Sequence, residues 1–589
     1  MSKNPRLVRV ALGFLLASVA ACTTLRQPQP PAGEEEGAVT TPYAPPAAQK
    51  PPRPVPAAGE KEQLAPALMY DILLGEIAGQ RGRLDVATRA YVEAARYTND
   101  PRVAERALKI AVFAKDQERA LAAARRWVAL EPDNKEARQS LAALALRSGL
   151  QDEALENIEY LIEHGEATPA QTYQSLLGLL VREPDSEQTL ALMEKLVARH
   201  PQDPDAHFAY ARLAAHARQW PVAEREVETA LELRPDWVAA LVLRAQIQLR
   251  QGNKELAHRQ MVEALQRQPD DTELRAAYAR LLVDLDDLEG ARQQYRKLVR
   301  KQPDNGQFVY SLALLSLEAG KLDTSEKLFK RLLKLGYQVQ QAYYYLGAIA
   351  EERNDRKNAI RWYSRIGKGE HWLEAQIRIA KLEADAGRIK TARARLQKLR
   401  QAQPQNARRL LLVEGSILSG IDWNEEAFQL YSRYLESHPD DADVLYARAL
   451  VAESLDRLDI AEQDLLRILK ADPDNARALN ALGYTLADRT NRYDEALLYI
   501  QKAMEKTPDD PAVIDSMGWV QFKLGNLDKA REYLQRAWDM TGDPEIAAHL
   551  GEVLWTQGYR QQARKLWDEA RKKKPGNKIL EDTVRRLVR

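Results

Sequence analysis

The chain has 589 residues, with 86 Lys and Arg against 85 Asp and Glu, a formal net charge of +1. So even a balance argues against nucleic acid as the main partner, which normally calls for a strongly basic face. One cysteine, Cys22, excludes an intramolecular disulfide.

The chain opens with Lys3, Arg6 and Arg9 and then an apolar run from Val10 to Val19. That run is too short for a permanent bilayer-spanning helix, and the layout is that of a secretory signal. It ends in Val19-Ala20-Ala21-Cys22, which resembles the bacterial lipobox. The resemblance implies cleavage after residue 21 and a diacylglyceryl group and an N-acyl chain on Cys22. Three acyl chains, at ~0.8 kcal/mol per buried methylene, suffice for stable anchoring. Thr23 in place of Asp after the cysteine implies, by the same resemblance, the outer membrane with the protein facing the periplasm. Residues 22–63 are dominated by Pro, Ala, Glu and Gln, including Pro28, Pro30, Pro31, Pro42, Pro45, Pro46, Pro51, Pro52, Pro54 and Pro56. This composition predicts a tether that forms no packed core. In polyproline II, at ~3.1 Å per residue, it would reach on the order of 100 Å.

Helical periodicity begins at about residue 64. Units up to residue 201 are irregular, and in the one that closes at Pro201 the two key small positions hold Leu177 and Thr189. Pro201, Pro235, Pro269 and Pro303 then recur in phase with Ala223, Ala257 and Ala291. Between Tyr337 and Gln403 the closing prolines vanish, but Gly347, Ala359, Ala380 and Ala392 hold the frame. Pro404, Pro439, Pro473 and Pro508 resume it. Near the C-terminus the pattern reads Gly483 then Ala496, Gly518 then Ala530, and Gly551 then Ala563. A small residue midway along one helix and another early in the next mark an antiparallel hairpin whose helices cross closely. This resembles the tetratricopeptide repeat, a helical hairpin of about 34 residues. The resemblance implies an all-α, right-handed superhelical solenoid of about fifteen hairpins. Its regular part spans residues 202–575, and residues 576–589 form a helix that caps the exposed end.

No local pattern supports catalysis. None of the eight histidines lies in H-E-x-x-H or an i, i+4 pair, and there is no G-x-S-x-G, P-loop or calcium loop. The reading is a binding scaffold, not an enzyme, with no cofactor beyond the lipid on Cys22. By the resemblance, the first helix of each hairpin lines an inner groove. The positions carried over in the last three units are Asn480, Tyr484, Asp515, Trp519, Phe522, Glu552 and Trp555. Two roles are open to the aromatic ones: anchors for a partner, or packing between helices.

The complete layout resembles outer-membrane lipoprotein adaptors of Gram-negative bacteria that serve a periplasmic carboxyl-terminal processing protease. The partners this implies are that serine protease and the peptidoglycan hydrolases presented to it for proteolysis. Two other scaffolding roles stay open, in an exopolysaccharide export complex or as an activator of peptidoglycan synthesis.

Overall fold

The structure, a computed structural model, describes residues 66–164, 168–181 and 186–588. The signal segment 1–21, Cys22 and the proline-rich stretch 22–63 lie outside the described residues. Those described form 31 α-helices in successive pairs and no strand. They fall into two compact units, one ending at Lys321 and the other running from Leu322 to the C-terminus. None of these helices is long and apolar enough to cross a membrane.

Most hairpins share two local devices. An Asp or Asn at the start of the first helix accepts a hydrogen bond from a backbone N–H one turn in, as at Asp100, Asn134, Asp271, Asn305, Asp441 and Asn475. Such caps satisfy donors that the helix itself leaves unpaired. In most of them the turn to the second helix passes through one left-handed residue, from Gly82 (φ 69°) to Gly558 (φ 89°), though not between Ala476–Arg489 and Tyr493–Lys506. Lys115, Arg218, Asn354 and Asp456 take that place in other units.

The helices then pack small against large. A Cβ on Gly75 would lie 2.5 Å from the ring of Tyr91, one on Gly347 2.5 Å from Tyr363, and one on Gly518 2.5 Å from Leu534 Cγ. At Gly415 and Gly551 the obstructing groups are Tyr431 and Trp567. In all five pairs the large residue lies sixteen positions after the glycine. Where alanine replaces glycine the same spacing links buried Ala111 to Trp127, Ala211 to Val227, Ala279 to Tyr295, Ala380 to Leu396 and Ala449 to Leu465. The pairing expected of Gly483 with Ala496 is also present, the Ala496 carbonyl lying 2.9 Å from a Cβ at Gly483. The bulk that fills this gap is nevertheless Ile500, one turn further on at 2.5 Å.

Leu322–Leu335 opens the C-terminal unit, and its regularity is broken where the closing prolines vanish. The second helix of one hairpin stops short, at Arg356–Tyr363, and an irregular segment containing Gly367 and Gly369 leads to Trp372–Asp385. At the other end Lys578–Leu587 lies on Pro544–Thr556 and buries Leu580. Its Arg586 donates to both carboxylate oxygens of Glu552 at 2.8 and 2.6 Å, which ties down the capping helix.

The packing rule predicts a reversal of sign. Gly518→Ala drives a methyl into Leu534, and overpacking costs ~1–3 kcal/mol, more than the ~1 kcal/mol that alanine gains over glycine in a helix. Hydrogen exchange across residues 511–541 should therefore quicken. In a Leu534→Ala background the same change should slow exchange instead. Equal effects in both backgrounds would show that the Gly518–Leu534 contact does not set the crossing.

Candidate functional site

In the C-terminal unit the first helices of the last hairpins touch in succession: Ala476–Arg489, Pro511–Lys523, Pro544–Thr556 and then Lys578–Leu587. Because the repeat is regular, equivalent positions line up in columns across them. Asn480, Asp515 and His549 form one such column, Tyr484 and Trp519 a second, and Glu453, Asp488 and Lys523 a third.

The centre of the face is the pair between Asp515 and His549. Both are buried, and His549 Nδ1 donates to the carboxylate, 3.0 Å from each oxygen. The Trp519 ring stacks on the imidazole with centroids 4.2 Å apart, and Phe522 stacks on Trp519 at 5.2 Å. Trp519 Nε1 donates to Asp488 at 3.0 Å, and Lys523 Nζ lies 4.8 Å from the Trp519 ring centre. On the other side the Tyr484 hydroxyl lies 3.4 Å from Nε2. Burial alone would depress the pKa of His549. The charge and hydrogen bond of Asp515, with Glu545 and Asp488 behind them, outweigh it and hold the pKa above its ordinary value. Tyr484 is pushed strongly upward by burial and by the surrounding Asp488, Glu545, Asp515 and Glu453, so its hydroxyl keeps its proton. Burial also raises the carboxyl groups of Glu453 and Glu545.

The residues singled out by sequence therefore separate. Tyr484, Asp515, Trp519 and Phe522 come together. Trp519 is only 5% exposed, so packing claims most of its surface, whereas Tyr484 and Phe522 are half-buried. Asn480 heads its column with a carboxamide oxygen that is buried and lacks a hydrogen-bond partner among the described residues. Glu552 is engaged by Arg586. Trp555 stacks on Trp567 at 5.7 Å, under Arg560 and Arg564. His549, Asp488, Glu453 and Glu545 belong to the face although no local motif announces them. Their signal is the spacing of 34 or 35 residues that puts His549 in register with Asp515, and Glu453 with Asp488.

Among the described residues no group of three or more His, Cys, Asp or Glu is arranged to hold a metal ion. The face joins half-buried aromatic surface to carboxylates, a surface suited to binding.

Tetratricopeptide-repeat family models match residues 106–318, 310–369 and 446–511, and 489–548. The chain is 42% identical over 487 residues to TPR repeat-containing protein PA4667 of Pseudomonas aeruginosa, covering 82% of each chain. It is 26% identical over 147 residues to type IV pilus assembly protein PilF of the same organism, which is 24% of this chain and 58% of PilF. A solved tetratricopeptide-repeat protein from Parabacteroides merdae aligns with 43% of this chain and all of its own, at 15% identity and a TM-score of 0.35.

The histidine gives a pH prediction. Because the folded state holds its proton more tightly than the unfolded chain, the contribution of His549 to stability is complete below the ordinary imidazole pKa of ~6.5. It is lost as pH rises through the raised folded value. The desolvated Glu453 and Glu545 act in the same direction at lower pH. Hydrogen exchange in helices 511–523 and 544–556 should therefore quicken as pH rises above ~6.5, after correction for intrinsic rates, and His549→Gln should flatten that part of the profile. An unchanged profile in His549→Gln would assign the dependence to other groups.

Proposed function

The chain belongs to the tetratricopeptide-repeat proteins, and on that premise we propose that it is an outer-membrane adaptor, a non-catalytic scaffold anchored through lipid on Cys22. In this reading it holds a periplasmic carboxyl-terminal processing protease on one set of repeats and presents peptidoglycan hydrolases from another. The observation that carries the scaffold role is the inner face around Tyr484. Four consecutive repeats direct aromatic rings and carboxylates onto it. The lipobox Val19-Ala20-Ala21-Cys22 and the proline-rich segment after it support an anchored protein on a long tether.

Mechanistically, such a scaffold adds no bond chemistry. Binding both partners to one chain turns the second encounter into an intramolecular one, at an effective concentration in the millimolar range for a well-matched span. Confinement to a membrane surface also keeps the pair near peptidoglycan-bound substrates.

Affinity purification from detergent-solubilised membranes tests this reading. The wild-type chain should retain a serine protease together with hydrolases. Tyr484→Ala, shown folded by circular dichroism, should lose one class at least tenfold and keep the other. Cys22→Ala should move the protein out of the membrane fraction. Recovery of polysaccharide-export or peptidoglycan-synthase subunits would favour one of the alternative scaffolds instead.

A further inference from the structure

Glu453 and Glu545 lie on the helices Ala442–Ser454 and Pro544–Thr556, on either side of Tyr484 in the repeat order. Both are half-buried. Neither carboxylate has an ion pair or hydrogen bond among the described residues; burial raises both, and only the more distant charges of Arg489 on Glu453 and His549 on Glu545 oppose it, against Asp488, which acts on both. A carboxylate removed from water is costly unless it is paired.

Elsewhere this protein pairs its buried acids. Glu414, fully buried, has Arg393 and Arg400 each at 3.0 Å. Asp464 has Arg448 at 2.7 Å, Glu383 has Arg395 at 2.8 Å, and Glu226 has His207 at 2.7 Å.

The cations around Tyr484 are already engaged. His549 is held by Asp515, Arg586 by Glu552, and Lys523 lies between Asp488 at 3.8 Å and the Trp519 ring. Arg489 donates to Asp456 and to the backbone carbonyl of Glu453, leaving the Glu453 carboxylate without a direct partner. The charges of four carboxylates, Asp488, Glu545, Asp515 and Glu453, therefore reach Tyr484, and Glu453 and Glu545 have no counter-charge in direct contact.

We propose that this face receives a basic side chain, arginine or lysine, from an extended segment of a partner protein, with Glu453 and Glu545 supplying the counter-charge beside the Tyr484 ring. The inference rests on the scaffold reading and specifies the chemistry of what the scaffold holds. Charge complementarity selects the occupant. The carboxylates do not form a metal-ligand group, whereas a long flexible cation can reach acids carried by separate helices. The chain itself places such groups on neighbouring rings, Arg477 4.1 Å from the centre of Tyr446 and Lys523 on Trp519. A cation beside an aromatic face is attracted by the ring as well as by the acids.

The test uses the full chain and two dye-labelled peptides of alternating glycine and arginine, identical except that citrulline replaces arginine in the second. Fluorescence anisotropy should show the arginine peptide binding at least tenfold more tightly. The preference should vanish in Glu453→Gln with Glu545→Gln, and should persist in Glu436→Gln with Glu505→Gln, which makes the same charge change at exposed positions. The first double variant should melt no lower than wild type, since it removes unpaired charge and keeps side-chain shape.

Equal binding of both peptides, abolished by Tyr484→Ala, would leave the scaffold reading standing and overturn the proposed basic specificity. Binding of neither peptide at millimolar concentration would also overturn it, and so would a preference that survives in Glu453→Gln with Glu545→Gln. If sedimentation shows a dimer that this variant dissociates, the occupant is a second copy of the chain, and the proposal of a separate partner fails.

Discussion

The fold depends on one steric exchange, repeated along the chain. A small residue in the first helix of a hairpin leaves a hollow, and a large residue sixteen positions on, in the second helix, fills it. Gly551 with Trp567 and Gly415 with Tyr431 are extreme cases, in which a single added methyl would collide with an aromatic ring. Close-packed interiors tolerate neither the void nor the overlap, so the exchange fixes the depth at which the two helices cross. Repeating it at a constant period fixes the next consequence, the columns of equivalent positions on the inner helices.

Those columns decide which side chains can cooperate. Asp515 and His549 meet because they share a register position in adjacent repeats, and Trp519 covers them from one turn further along its helix. The same regularity gives the inner face its electrostatic character. Most buried acids in both units lie opposite an arginine or histidine from a neighbouring helix, and such acids are satisfied within the protein. Glu453 and Glu545 depart from that pattern where the aromatic surface is densest. A scaffold gains specificity at such a place, because it discriminates against partners that leave the carboxylates unpaired.

Much of the fold was legible in the sequence because a repeat reports itself many times. Small residues and prolines in phase gave the helical hairpins and their number, and Lys578–Leu587 occupies the place of the expected cap. The large half of each packing pair was less visible, since Tyr91, Tyr431, Leu534 and Trp567 differ in type and share only their spacing. The shortened helix Arg356–Tyr363 was hidden for a related reason: Ala359 keeps the frame while the helix after it ends early. The candidate site was legible only in part. Tyr484, Trp519 and Phe522 stood out as aromatics at inner positions, but Glu552 has its charge taken by Arg586 and Trp555 lies against Trp567. Both outcomes depend on neighbours that a single repeat does not reveal. His549 escaped a search for local motifs because its partner is 34 residues away, a distance that becomes adjacency only when repeats stack.

The most direct test of the central claim, that the inner face of the C-terminal repeats holds a partner, is photo-crosslinking in cells. A photoreactive amino acid would replace Phe522 or Tyr446 on the inner helices, and in a parallel strain Leu498, 60% exposed on the second helix of its hairpin. The account predicts a discrete adduct from the inner positions, lost when Glu453 and Glu545 are both changed to Gln, and none from Leu498. Adducts from Leu498 with none from Phe522 or Tyr446 would contradict it.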